Sequence, residues 1–138
     1  MKIRRSIGMA ALLVLLIGSS ACMASADQAI VQAISPSRFK LLLDRHQGNQ
    51  DVVLLDIRTA REFDAGHIQG AVLLDYYSRD FVDRLKALDR EKTYLVYCRS
   101  GNRSGKSLVI FEKLGFQRAF HLATGINGWS REKYPLVR

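Results

Sequence analysis

Apolar residues along the chain fall into short blocks that alternate with polar stretches carrying a helical repeat. Residues 28–34 form a moderately apolar block of strand length. Ser35 and Pro36 follow, a serine suited to an N-cap and a proline suited to the first helical position, and Phe39, Leu42 and Leu43 share one face up to Gly48. Residues 52–56 are a continuous apolar run closed by Asp56, the pattern of a parallel strand buried on both faces. A polar stretch, 59–70, predicts a short helix and a turn before a second such run at 71–74. Ser78 predicts a helix start that places Phe81, Leu85 and Leu88 on one face. Tyr94-Leu95-Val96-Tyr97 is the third strong run. Beyond it, Ser104 is placed to cap a helix that runs through Phe111 and stops at Gly115, with Phe116 able to fold back on Phe111. Residues 118–122 predict a last strand, and Gly128-Trp129 the start of a short closing helix. Strands alternating with helices imply an α/β fold, a mainly parallel central sheet of about five strands flanked by helices.

With 138 residues and 48% apolar content, the chain holds one ordinary domain with a real core. Its formal charge of +8 is not spread evenly. Lys2, Arg4 and Arg5 open the chain, an apolar run of 11 residues spans 7–17, and Ala24-Ser25-Ala26 has the small-residue spacing of a cleavage site. The run falls well short of the roughly 20 residues a membrane-spanning helix needs. Residues 1–26 therefore read as a signal peptide and 27–138 as a single exported domain, expected in a bacterial periplasm. Removing those three cations from the 21 basic residues leaves 18 against 13 acidic, a mildly basic +5. Twin-arginine export is a weaker reading, because Arg4-Arg5 lacks a strong flanking pattern. Cys22 offers another alternative, a lipid anchor, although Ser19 stands where such signals usually carry leucine. With the leader removed, Cys98 is the one remaining thiol, so no internal disulfide is expected. An unpaired thiol in an oxidising compartment suggests use.

The chemistry concentrates where the third apolar run opens into Cys98-Arg99-Ser100-Gly101-Asn102-Arg103-Ser104. A thiol attacks as thiolate, and its pKa falls from about 8.5 when amides, a helix N-terminus or cations surround it. Gly101 lets successive N–H groups turn toward one anion. Arg99 and Arg103 add charge, and the following helix adds its dipole. A free cysteine packed as a small hydrophobe is the competing reading; the arginines and the glycine favour the reactive one. In a parallel α/β sheet, a strand-loop-helix unit also places Cys98 at the carboxyl edge, where ligands bind.

Several residues together resemble the rhodanese-like sulfurtransferases. Asp56-Ile57-Arg58, Glu62-Phe63 and Gly66-His67-Ile68-Gln69-Gly70-Ala71 are similar to the first signature of that family at every spacing. Residues 97–104 resemble its active-site loop, and Gly125 to Trp129 its closing signature, with Thr124 where a first glycine is usual. That departure concerns a turn. The resemblance implies a rhodanese-like fold and a thiosulfate sulfurtransferase. Cys98 is then the nucleophile that takes sulfane sulfur as a persulfide and passes it to cyanide or a thiol. It implies that the loop amides stabilise the sulfur anion, that Arg99 and Arg103 hold the anionic donor, and that no cofactor is needed. The loop from Cys98 to Arg103 counts six residues, like the sulfurtransferases, where the related phosphatases and arsenate reductases carry seven. A sulfane-sulfur carrier or sensor serving a protein partner is the main alternative, and a phosphatase or arsenate reductase a distant third.

Asp56 and Arg58 are expected as a buried pair supporting the loop. His67 is expected to be a structural hydrogen-bonding residue, and Trp129 a core one. His46 and His121 belong to no constellation and read as structural or exposed. The three histidines have no usual metal-ligand spacing with Cys98, so no metal is expected. Arginine-rich stretches are mixed with acids, and nothing points to nucleic acid.

Overall fold

The structure, a computed structural model, describes residues 29–138. The apolar run at 7–17, Cys22 and the expected cleavage site at 24–26 lie outside the described residues. Five strands and five helices alternate: β1 (Ile30–Ile34), α1 (Pro36–Arg45), β2 (Val52–Asp56), α2 (Ala60–Asp64), β3 (Val72–Leu73), α3 (Phe81–Lys86), β4 (Thr93–Tyr97), α4 (Asn102–Lys113), β5 (Arg118–Leu122) and α5 (Gly125–Arg131). The strands form one sheet in the order β1-β5-β4-β2-β3, and every pairing is parallel. The expected α/β architecture is the observed one.

The continuous apolar strands are explained by two cores, one on each face of the sheet. Along β4 and just beyond it, Tyr94, Val96 and Cys98 enter one cluster with Leu55, Ile57, Leu85, Phe111 and Phe116. The alternate residues Leu95 and Tyr97 enter the other with Phe39, Leu54, Leu122, Ile126 and Trp129. A two-residue side-chain period with apolar residues at both phases is what burial on both faces requires. Phe39 of α1 meets Trp129 of α5 edge-on at 6.3 Å, locking those two helices on one side.

Helix boundaries follow the capping chemistry with three corrections. Ser35 caps α1 as expected, accepting from the Arg38 amide at 3.3 Å. The C-terminus of α4 closes as expected: Phe116 N–H donates to Phe111 O, Gly115 N–H to Glu112 O, and the two rings lie 4.7 Å apart. Ser78, by contrast, is not the N-cap of α3; Asp80 holds that position without a side-chain cap bond, and the Ser78 hydroxyl instead bonds the Asp80 carboxylate. Helix α4 starts at Asn102 behind Gly101, which puts Ser104 inside the first turn rather than at the cap. Helix α5 starts at Gly125, three residues before Gly128. The run at 71–74 is also less buried than its composition implied. Only Val72 and Leu73 pair, at the sheet edge, and Val72 is 54% exposed.

Candidate active site

Cys98 is the first residue after β4, the central strand, and its side chain lies under the N-terminus of α4. It is a free thiol and only 1% exposed. The Gly101 amide donates to Sγ at 3.2 Å, the Ser104 amide at 3.5 Å and the Ser104 hydroxyl at 3.4 Å. Burial works against a charged sulfur, but these donors and the Ser100 amide outweigh it and hold the thiol below its ordinary pKa.

The inward aim of the amides is enforced from α5. Ile126 N–H donates to Cys98 O at 2.8 Å and Asn127 N–H to Arg99 O at 3.0 Å, so the loop carbonyls face α5. Two glycines make this interlock possible. Gly101 has φ +94°, and a Cβ there would sit 1.9 Å from Ala123 O; Gly125 has φ +58°, and a Cβ there would sit 2.5 Å from Arg99 C and O. The closing signature thus clamps the loop as well as turning the chain. Thr124, which replaces the usual first glycine, lies at the N-cap position of α5 with its buried hydroxyl oxygen unpaired. The absence of a side chain at Gly128 makes room for it, since a Cβ there would lie 1.7 Å from Thr124 Oγ1.

Asp56 and Arg58 form the expected buried pair behind this loop. Arg58 Nη2 reaches Asp56 Oδ2 at 2.6 Å and Gly66 O at 2.7 Å, while its Nε bridges both carboxylate oxygens at 3.0 Å. The pair ties the end of β2 to the turn before His67 and does not touch Sγ. His67 is structural in its contacts: Nδ1 lies 3.1 Å from Phe63 O, and the ring stacks on Phe63 at 3.7 Å.

Arg103, expected to add charge and hold an anionic donor, is engaged in an ion pair. Its two Nη groups bond the Glu62 carboxylate at 2.9 and 2.7 Å, and its guanidinium lies 5.4 Å from the Tyr77 ring centroid. Glu62 also completes the capping box of α2 with Thr59. The Arg103 hydrogen bond, working against burial and helped by Thr59, lowers the Glu62 pKa to about 2. Nothing local marks this carboxylate as a site residue, because Thr59 is simply the N-cap of α2 and Arg103 lies 41 residues away on α4. Arg99, Ser100 and Asn102 are exposed. With Arg103, Glu62, Tyr76, Tyr77, Thr59 and Lys106 they line a cleft of about 570 Å³ at the loop mouth. Among the described residues, Arg99 and Lys106 have no ion-pair partner there.

His121, expected as structural or exposed and outside any constellation, is buried and does join the Cys98 loop. It is 7% exposed, and its Nδ1 lies 3.1 Å from Ser104 Oγ, two bonds' reach from Cys98. Its sequence distance from the loop hid it; the parallel pairing of β5 with β4 brings it under α4. Among the described residues, no group of three or more His, Cys, Asp or Glu could hold a metal ion. No described helix is long and apolar enough to cross a membrane.

A buried, donor-wrapped cysteine at the carboxyl edge of a parallel sheet, beside a cationic mouth, is an arrangement that can stabilise a sulfur anion. The chain belongs to the rhodanese-like family: residues 40–132 match the model of the rhodanese-like domain. It is 32% identical over 96 residues to a sulfurtransferase of Allochromatium vinosum, covering 70% of this chain and 88% of that one. It is also 32% identical over 111 residues to a probable adenylyltransferase/sulfurtransferase MoeZ of Mycobacterium tuberculosis, covering 80% of this chain but only 28% of that protein's length. Among solved structures, a rhodanese-related protein of Thermoplasma volcanium is similar with a TM-score of 0.63 and 26% identity, covering 77% of this chain and 97% of that one.

Proposed function

We propose that this protein is a sulfurtransferase that moves sulfane sulfur from an anionic donor such as thiosulfate to a thiophilic acceptor through a persulfide on Cys98. The observation that carries this reading is the convergence of the Gly101 and Ser104 amides and the Ser104 hydroxyl on a single sulfur in a six-residue loop. The Cys98 thiolate attacks the outer sulfur of thiosulfate, a new S–S bond forms, and the old one breaks with its electron pair leaving on sulfite. A cyanide ion or thiolate then attacks the outer sulfur, and Cys98 departs as thiolate. The donors already stabilise the charged sulfur, so no reorganisation is required at either step. Arg99 and Lys106 attract the donor dianion at the mouth, while Arg103, neutralised by Glu62, chiefly shapes it.

Incubation with thiosulfate and cyanide should yield thiocyanate, and Cys98→Ala should abolish it. Equal activity in that variant would refute the assignment. A one-sulfur mass gain on Cys98 without turnover would replace it with the carrier or sensor reading, which serves a protein acceptor; hydrolysis of a phosphate ester would point to the phosphatase one. We further propose export to a bacterial periplasm with cleavage after Ala26, supported by the cationic start, the apolar run and the Ala24-Ser25-Ala26 spacing. The intact mass of the mature protein tests this, since a lipidated N-terminal Cys22 would instead establish the anchored form.

A further inference from the structure

We infer that His121 is a positioning residue for Cys98: its ring, protonated at Nδ1, holds the Ser104 hydroxyl so that the serine proton points at Sγ. The argument begins with a proton count. The Ser104 hydroxyl carries one proton and has three acceptors within reach, Cys98 Sγ at 3.4 Å, Gly101 O at 3.3 Å and His121 Nδ1 at 3.1 Å. If Nδ1 is bare, the imidazole nitrogen is the nearest acceptor and takes that proton, and the sulfur loses its only side-chain donor. If Nδ1 carries the proton, the ring donates to Oγ and the hydroxyl proton is left to Gly101 O or to Sγ, of which a charged sulfur is the stronger acceptor. A thiolate or persulfide anion favours the second arrangement, because a hydrogen bond to a charged acceptor is about twice as strong as a neutral one. The tautomer of His121 therefore decides whether the Ser104 hydroxyl joins the loop amides as a donor to Sγ.

The surroundings keep this a matter of tautomer. Beside His121 in the sheet are Ala33 of β1 and Val96 of β4, and from α4 its ring faces Ser104 and Gly105, where a Cβ would lie 3.4 Å from Cε1. None of these is charged. Burial lowers the pKa of the ring, outweighing a hydrogen bond to the Leu122 backbone that raises it, which favours the neutral form. On the sulfur side the charged groups are Arg103, coupled to Cys98 and paired with Glu62, and the mouth residues Arg99 and Lys106. No carboxylate competes for Nδ1 from these elements. Ser104 is itself fixed, fully buried, with its carbonyl accepting from Ser107 at 2.7 Å.

The inference rests on Cys98 being the nucleophile of the proposed reaction, but its test needs no sulfur substrate. The pH profile of Cys98 alkylation by iodoacetamide in the full chain, followed on the Cys98 peptide so that Cys22 is read separately, reports thiolate formation directly. Ser104→Ala and His121→Leu should each raise its midpoint by about one pH unit. The double variant should shift it no further than either alone, because His121 acts through Ser104. His121→Asn, whose Nδ2 falls near the place of Nδ1, should restore the wild-type profile. An unchanged midpoint in His121→Leu alongside a shift in Ser104→Ala would overturn the inference, as would additive shifts. Should the leucine variant not fold, 15N NMR of wild-type His121 above the thiol midpoint decides: a protonated Nδ1 is expected, and a bare Nδ1 overturns it.

Discussion

Glu62→Gln should weaken the fold and strengthen the site. The substitution keeps size and removes the charge that Arg103 holds at 2.7 and 2.9 Å. In the folded protein the carboxyl is lowered from 4.5 to about 2, and at about 1.4 kcal/mol per pH unit that is roughly 3–4 kcal/mol. The Glu62 side chain is 25% exposed and that of Arg103 14%, so solvent screening reduces the expected loss to about 1–2 kcal/mol. The sign follows from a folded pKa below the unfolded one. The stabilisation is fully present above about pH 4.5 and is lost as pH falls toward 2. Urea unfolding of both proteins should show the full difference at pH 7 and less than half of it at pH 3. Meanwhile Arg103, no longer neutralised, faces Cys98 with a net charge, so the KM for thiosulfate should fall and the alkylation midpoint of Cys98 should move down. A variant as stable as wild type at pH 7, or a stability difference unchanged between pH 7 and pH 3, would refute the ion-pair reasoning. A raised KM would refute the electrostatic account of the mouth.

Three further outcomes follow from the same contacts. Gly125→Ala places a methyl group 2.5 Å from the Arg99 carbonyl in a left-handed conformation, and should cost about 2–4 kcal/mol in thermal or urea unfolding while slowing sulfur transfer by more than tenfold. Arg99→Ala and Lys106→Ala should each raise the KM for thiosulfate several-fold with kcat little changed, an effect that shrinks as salt is added. Trp129→Ala should cost about 3–5 kcal/mol in unfolding experiments, since it opens the core between α1 and α5 where Phe39 and Tyr134 pack on the indole.

The elements most legible in the chain were those whose signals are local. Ser35-Pro36, the run 52–56 and the Gly115-Phe116 stop each express their structure within a few residues, and each is found as expected. Ser78 and Ser104 misled for a common reason. A serine near a helix start can cap it, bond a neighbouring side chain or lie inside the first turn, and which it does depends on where the backbone enters the helix. At Ser104 the entry is set by Gly101, whose positive φ begins α4 two residues earlier and turns the hydroxyl onto Cys98. At 71–74 the apolar residues were plain but their place at the sheet edge was not, because strand order is a property of long-range pairing.

By itself, the order of residues determined the alternation of strands and helices, the position of Cys98 at a strand end and the glycine that curls the loop around it, since all of these rest on local conformational preference and on side-chain periodicity. Only the tertiary structure decided which charges near the sulfur are free. Arg103 is joined to Glu62 across 41 residues, and His121 reaches Ser104 across 17, so neither partnership exists until β2, β4 and β5 are laid side by side. Hydrogen bonds and ion pairs act over a few ångströms, and the chain distance between their partners says nothing about them until the sheet has closed that gap.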